Sequence, residues 1–401
     1  MTTAAPPRSS PQIESDWINA LTDEACRLHD AAVEAYGDKD FDNAERLFRR
    51  ALTLFEQAEG AEHPDVAATL GNLGAVLEDQ CDYQAAEECY VRVASITDAI
   101  ENDPKNYEDD EDVARLRLQS LDNLGRIRRI QGRYAQAEPV IRRALNFALW
   151  TFGAESLEVS GALNNLGMLG KFAGRFDEAE ECYRRALAIL EKHYGRDCAE
   201  AASIYHNLGG LGHARERFAE GEPFARKSVE LRKRNHGDDH PDVAADIAAL
   251  AALLDGQGKF DEAEALYNRA LEIFTGVYGE EHYEIATTLN NLAVIHQTRG
   301  DYAKAEEMLA RALAIKEKIF GADNVDVAMT INNLAVLRGA QGDDEKAAEL
   351  YARALAIFEA ELGADHPTVV ICRENHEDAM SDKLQFVETS ARSRIQEHST
   401  N

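Results

Sequence analysis

A chain of 401 residues with 73 acidic and 43 basic side chains carries a formal charge of −30, which repels nucleic-acid phosphates and anionic membrane surfaces. Cys26, Cys81, Cys89, Cys182, Cys198 and Cys372 lie far apart, with no CxxC pair and no secreted-scaffold spacing, so the expectation is a reduced, cytoplasmic protein. The opening MTTAAPPRSSPQIESD lacks the apolar core of an export signal, and no run approaches the roughly eighteen apolar residues of a spanning helix.

Residues 1–16 read as a disordered N-terminal tail, and residues 17–380 as one repeat array. The repeat is marked by an asparagine-leucine step. Asn123-Leu124, Asn165-Leu166, Asn207-Leu208, Asn291-Leu292 and Asn333-Leu334 share a 42-residue register, with Ala249-Leu250 in the one empty slot. Self-similarity at that period means stacked helical hairpins, an all-α solenoid. Small residues recur where two helices must approach: Ala32, Gly74, Gly125, Gly167, Gly209, Ala251, Ala293 and Ala335 in first helices, and Ala44, Ala86, Ala137, Ala179, Gly221, Ala263, Ala305 and Ala347 in second helices. About eight hairpins follow from this count.

Between the second and third repeats the interval from Asn72 to Asn123 is nine residues too long. The excess lies in the acidic, proline-containing stretch 101–112, which predicts an exposed loop. Residues 285–320 show the unit most clearly. Leu289, Leu292, Ala293 and His296 form one helical stripe, Gly300 ends that helix, Tyr302 opens the next, and Gly321 closes it. An aromatic follows the hairpin turn at Phe41, Tyr83, Tyr134, Phe176, Phe218, Phe260 and Tyr302. Asp344 replaces it in the eighth repeat, which predicts a less buried, capping unit.

The connectors read GAEHPDVA at 60, GDDHPDVA at 237 and GADHPTVV at 363: glycine stops one helix and proline starts the next. Ser156 and Asn324 stand where His63, His240, His282 and His366 stand elsewhere, so these histidines are expected to be N-caps. Metal ligation is not expected of groups a whole repeat apart. A further first helix, Val369 to Met380, is expected to cap the stack, with residues 381–401 as a polar tail.

These hairpin, aromatic, small-residue and connector patterns resemble the tetratricopeptide repeat family over about residues 20–380. Specifically they resemble its 42-residue kinesin-light-chain-like subclass, through HPDVA, LNNLA at Leu289 to Ala293, and AEALYNRALEI at Ala263 to Ile273. The heptad coiled coil by which kinesin light chains bind the motor has no counterpart before the first repeat. The resemblance implies a right-handed superhelix whose first helices line a concave groove. It also implies an interaction scaffold without cofactor, metal or catalytic residues.

On one helix, Asn291 points nearly opposite the apolar stripe, toward solvent, with Asn290 on its shoulder. A side-chain amide can both donate to and accept from a peptide backbone. The candidate peptide-binding residues are therefore Asn123, Asn164, Asn165, Asn207, Asn290, Asn291, Asn332 and Asn333, while Ala249 leaves a doubtful rung. The resemblance agrees, since equivalent asparagines in the family contact bound peptide. Holding adjacent repeats together is the competing role for the same amides. Arg126, Arg129, Lys171, His206 and His213 add a basic strip suited to an acidic segment, unless Asp122 or the 101–112 loop neutralises the arginines. Met168, Ala252, Val294 and Val336 make the same surface apolar further on. The expected function is a non-catalytic scaffold for an extended or partly helical, acidic peptide with an apolar anchor. Self-association or a peptide-responsive regulatory role is the alternative. Neither nucleic acid nor membrane is an expected partner. The sequence has no HExxH, no GxSxG and no Gly-rich phosphate loop.

Overall fold

The structure is a computed structural model, and it describes residues 11–80, 82–102, 111–364, 366 and 368–381. Its regular structure is helical, and the helices divide into two compact units, residues 1–196 and 197–401. In the first unit four hairpins follow one another: α1 (Pro11–Gly37) with α2 (Phe41–Ala58), α3 (Pro64–Asp79) with α4 (Tyr83–Asn102), α5 (Glu111–Ile130) with α6 (Tyr134–Thr151), and α7 (Leu157–Phe172) with α8 (Phe176–Tyr194). The second unit opens on a 3-10 turn, Ala199–Ala201. It continues with α9 (Ala202–Ala214) and α10 (Phe218–His236), α11 (Pro241–Gly256) and α12 (Phe260–Tyr278), α13 (Tyr283–Thr298) and α14 (Tyr302–Phe320), then α15 (Val325–Ala340) and α16 (Asp344–Leu362). Residues 368–381 form α17.

The small residues explain the close hairpins. A Cβ on Gly167 would stand 2.6 Å from the Tyr183 ring, and one on Gly212 would stand 2.6 Å from the Cα of Gly221, so α9 and α10 cross backbone to backbone. Ala44, Ala86, Ala137, Ala179, Ala263, Ala305 and Ala347 are fully buried. The connectors behave as read. Nδ1 of His63, His240, His282 and His366 accepts from the backbone N–H two residues on, and Asn324 does the same with its side-chain oxygen. A nitrogen that accepts this bond is unprotonated.

Three expectations change. The first helix begins at Pro11, inside the stretch read as tail. The acidic insertion is narrower than 101–112, because α4 runs through Asn102 and α5 begins at Glu111; residues 103–110 lie outside the described residues. Glu111 and Asp112 sit in the first turn of α5, where their charges favour the helix N-terminus. The eighth hairpin is not a thinly packed cap: α16 buries Ala347, Tyr351, Ala354 and Phe358, and Val369 and Cys372 of α17 join the same core. A covering helix beyond Asp344 makes that burial possible.

Within each unit the first helices touch one another, α3 meeting α1 and α5, and α11 meeting α9 and α13, while the second helices pack on the first helices to either side. First helices are therefore the closely spaced, inner layer of each unit.

Candidate functional site

The surface that carries the candidate residues is this inner layer, and the asparagines do not stand clear of it. Asn123, Asn165, Asn291 and Asn333 are half-buried, and Asn207 is only 7% exposed. The solvent-facing direction calculated on one isolated helix is partly filled by the next repeat. His29 Nε2 lies 3.2 Å from Asn72 Nδ2, and Asn333 donates to Asn290 Oδ1 at 3.2 Å, each pair 43 residues apart. Asn165 hydrogen-bonds Asp122 at the same spacing. Asn123 and Asn291 instead meet the hydroxyls of Tyr90 and Tyr267, on the preceding second helices. At these rungs the amides meet groups on neighbouring repeats.

In three repeats the residue one position before a ladder slot, His29, Asp122 or Asn290, meets the asparagine of the next rung. Asp122 is half-buried, its Oδ1 is out of solvent with no hydrogen-bond partner among the described residues, and burial pushes its carboxyl up to about 6. Asn164 places its amide 3.9 Å from Met168 Sδ. Asn332 is half-buried, with an Oδ1 that finds no partner among the described residues. Asn375 on α17 occupies the next ladder slot and is half-buried. This rung escaped the sequence reading because His376, not leucine, follows it.

The basic strip divides into paired and unpaired members. Arg126 makes a two-point ion pair with Glu78 on α3, its Nη2 at 2.7 Å from Oε2, and also reaches Asn123 at 3.2 Å. Its partner among the described residues is therefore Glu78, not Asp122. Arg129 and Lys171 occupy the same slot in successive repeats, and neither has an ion pair among the described residues. Both stand over one ring: Arg129 Cζ is 5.3 Å and Lys171 Nζ 5.0 Å from the centroid of Phe172. Phe172 is 50% exposed and stacks on Tyr134 with centroids 6.3 Å apart. Burial lowers the pKa of Arg129 and of Lys171, and Arg129 lowers Lys171 further. Phe172 was not singled out from sequence; an aromatic one residue after Lys171 was the available signal.

In the second unit His206 is tethered. Its Nδ1 lies 2.6 Å from Oδ1 of Asp246, a carboxylate only 2% exposed. Asp246 also accepts from Ser228 Oγ at 2.5 Å, and Arg232 Nε stands 2.7 Å from its Oδ2. Asp246 went unnoticed in sequence, although its slot holds Thr69, Ser120, Ala162, Ile204, Thr288 and Thr330 elsewhere. Beyond it the inner face is apolar: Val294, Met329 and Val336 are 39%, 50% and 37% exposed, and Ala252 is half-buried.

Among the described residues no helix is long and apolar enough to cross a membrane, and no three His, Cys, Asp or Glu side chains gather as a metal site. The family model described as Tetratricopeptide repeat matches residues 24–99, 116–192, 200–276, 244–318, 284–360 and 326–381. Among solved structures, BtubC (BKLC) from P. vanneervenii is 27% identical, with 58% of this chain and 92% of that chain covered and a TM-score of 0.46. Kinesin light chain TPR-like repeats from Podosopora anserina are 22% identical, with coverages of 50% and 95% and a TM-score of 0.41. A Rap protein complexed with Competence and Sporulation Factor is 14% identical, with coverages of 92% and 99% and a TM-score of 0.52. A search of curated proteins found no match.

Proposed function

The chain belongs to the tetratricopeptide repeat family, and from that premise we propose that it is a non-catalytic scaffold whose inner helix faces hold a protein segment, acidic with an adjoining apolar side chain. One observation carries this reading: Arg129 and Lys171 share the ring of Phe172, half-buried and without an ion pair among the described residues. Two like charges that repel each other in a partly desolvated place cost stability unless an anion arrives. In a chain of charge −30, carboxylates are abundant, so leaving these two cations without one favours an external acid. Exposed Phe172 offers the adjoining apolar contact, and in the second unit Val294, Met329 and Val336 offer another.

An array of blocked dodecapeptides, scanned at each position for acidic and apolar residues, tests the reading against wild type and an R129E/K171E variant. Wild type should favour spots with an acidic residue beside an apolar one, and the variant should lose about tenfold or more of that signal, about 1.4 kcal/mol, with unchanged helicity. Acid-independent spots, or equal signal from both proteins, refute the assignment.

A further inference from the structure

We propose that the broken rung at Ala249 is a binding site for an amide N–H, with Nε2 of His206 as the acceptor. The molecule contains the completed version of this rung. In the first unit His29 directs Nδ1 to the Thr69 hydroxyl at 3.0 Å, 40 residues on, and Nε2 to the Asn72 amide at 3.2 Å, 43 residues on. His206 stands in the same slot of the second unit, with Nδ1 on Asp246, again 40 residues on. Forty-three residues on stands Ala249, whose methyl group can donate nothing. Nε2 of His206 therefore lacks the amide that Nε2 of His29 has, on an imidazole whose side chain is 37% exposed.

Asp246 sets the tautomer of the neutral ring. A threonine hydroxyl can donate or accept, so it leaves the ring free to choose its tautomer, whereas an ionised carboxylate only accepts. The proton is thus held on Nδ1, and in the neutral ring Nε2 must present its lone pair. Burying a carboxylate where other repeats have threonine, serine, alanine or isoleucine is costly without compensation. Here Ser228, Arg232 and His206 supply it. These contacts hold the Nδ1 edge of the ring, and by the register of His29 its other nitrogen serves the slot at Ala249.

The chemistry on offer is therefore acceptance of an N–H, from a carboxamide side chain or from a peptide backbone. This differs from the cationic role first read for His206. The inference rests on the peptide-scaffold reading only for the source of the amide; it does not depend on Arg129 and Lys171, which lie in the other unit.

The test is long-range proton–nitrogen NMR of the histidine rings at alkaline pH, with His206 assigned by H206Q. Acetamide, a primary amide, should shift His206 Nε2 toward the hydrogen-bonded position and saturate, while acetone, an acceptor without N–H, should not. A response to acetamide alone assigns a carboxamide side chain, and a response to N-methylacetamide as well assigns a backbone amide. In A249N the new side chain should complete the rung, reproduce the shift without ligand and abolish the acetamide response. Equal shifts with acetone, or no shift with either amide in wild type, overturn the proposal whatever A249N does. Loss of the array signal in R129E/K171E with an intact acetamide response would leave this site standing, and the reverse would remove it alone.

Discussion

Replacing Lys171 by methionine should make the first unit more stable and its ligand binding weaker. Lys171 Nζ and Arg129 Cζ stand 5.0 Å and 5.3 Å from the same Phe172 centroid, so the two charges lie within about 10 Å of each other. At an effective dielectric constant of about 20, that repulsion is at least about 1.6 kcal/mol. Physiological salt, with a Debye length of about 8 Å, removes part of it for half-buried groups, leaving on the order of 1 kcal/mol. The sign follows from titration too. Burial first, and Arg129 second, lower the Lys171 pKa, so the folded state holds the proton less tightly than the unfolded one and pays for the charge at neutral pH. Methionine keeps the stem against Phe172 and removes the charge. Urea titration followed by hydrogen exchange in α5 to α8 should show a gain of about 1 kcal/mol, or roughly 2–4 °C in the melting of a unit of this size. Added salt should stabilise wild type more than K171M, and acidic peptide spots should fade. A destabilised K171M, or one with no change in salt response, would show that Lys171 already has an anionic partner and would refute the argument.

Two further perturbations separate packing from capping. Gly212→Ala should cost about 1–3 kcal/mol in the second unit, because its Cβ meets backbone atoms of Gly221 that no rotamer change can move; Gly161→Ala, with nothing within 4 Å, should instead gain up to about 1 kcal/mol in the first unit by helix propensity. Differential urea midpoints check both signs. Burial lowers the pKa of His282, so its contribution to stability is present above the unfolded value of about 6.5 and is lost as pH falls through the lower folded value. His282→Asn should keep the cap, as Asn324 does at 2.8 Å, and reduce the fall in urea midpoint between about pH 7.5 and pH 5.

Much of the architecture was legible because it is local and repeated. Gly300, Tyr302 and Gly321 mark one hairpin without reference to any other, and the capping role of His63 and its equivalents follows from the Ser156 and Asn324 that replace them. The inner surface was less legible because it is made by pairs of repeats. A helical wheel places Asn291 opposite its own apolar stripe, yet α13 has α11 on one side and α15 on the other, so that direction is half-covered. Arg126 finds Glu78 48 residues away, a distance that includes the acidic insertion and has no counterpart in the regular register. Asp246 was legible as an exception to a threonine-like slot, but its meaning needed His206 at 2.6 Å.

Stapling and ligand contact need not compete for the same asparagine. An amide side chain has two N–H donors and two lone pairs on its oxygen. Asn333 uses one N–H on Asn290, which leaves a second N–H and its own oxygen for another group. The imidazole of His29 has no such surplus, because both nitrogens are engaged. It follows that the inner face is not uniform in what it can still bind. Amide rungs keep capacity for a backbone after joining two repeats, a complete histidine rung keeps none, and the histidine rung opposite Ala249 keeps one acceptor. On the proposal for His206, the interruption at Ala249 removes a repeat-to-repeat bond and leaves one ring nitrogen open, making the least regular position of the ladder the one with the most specific chemistry left to offer.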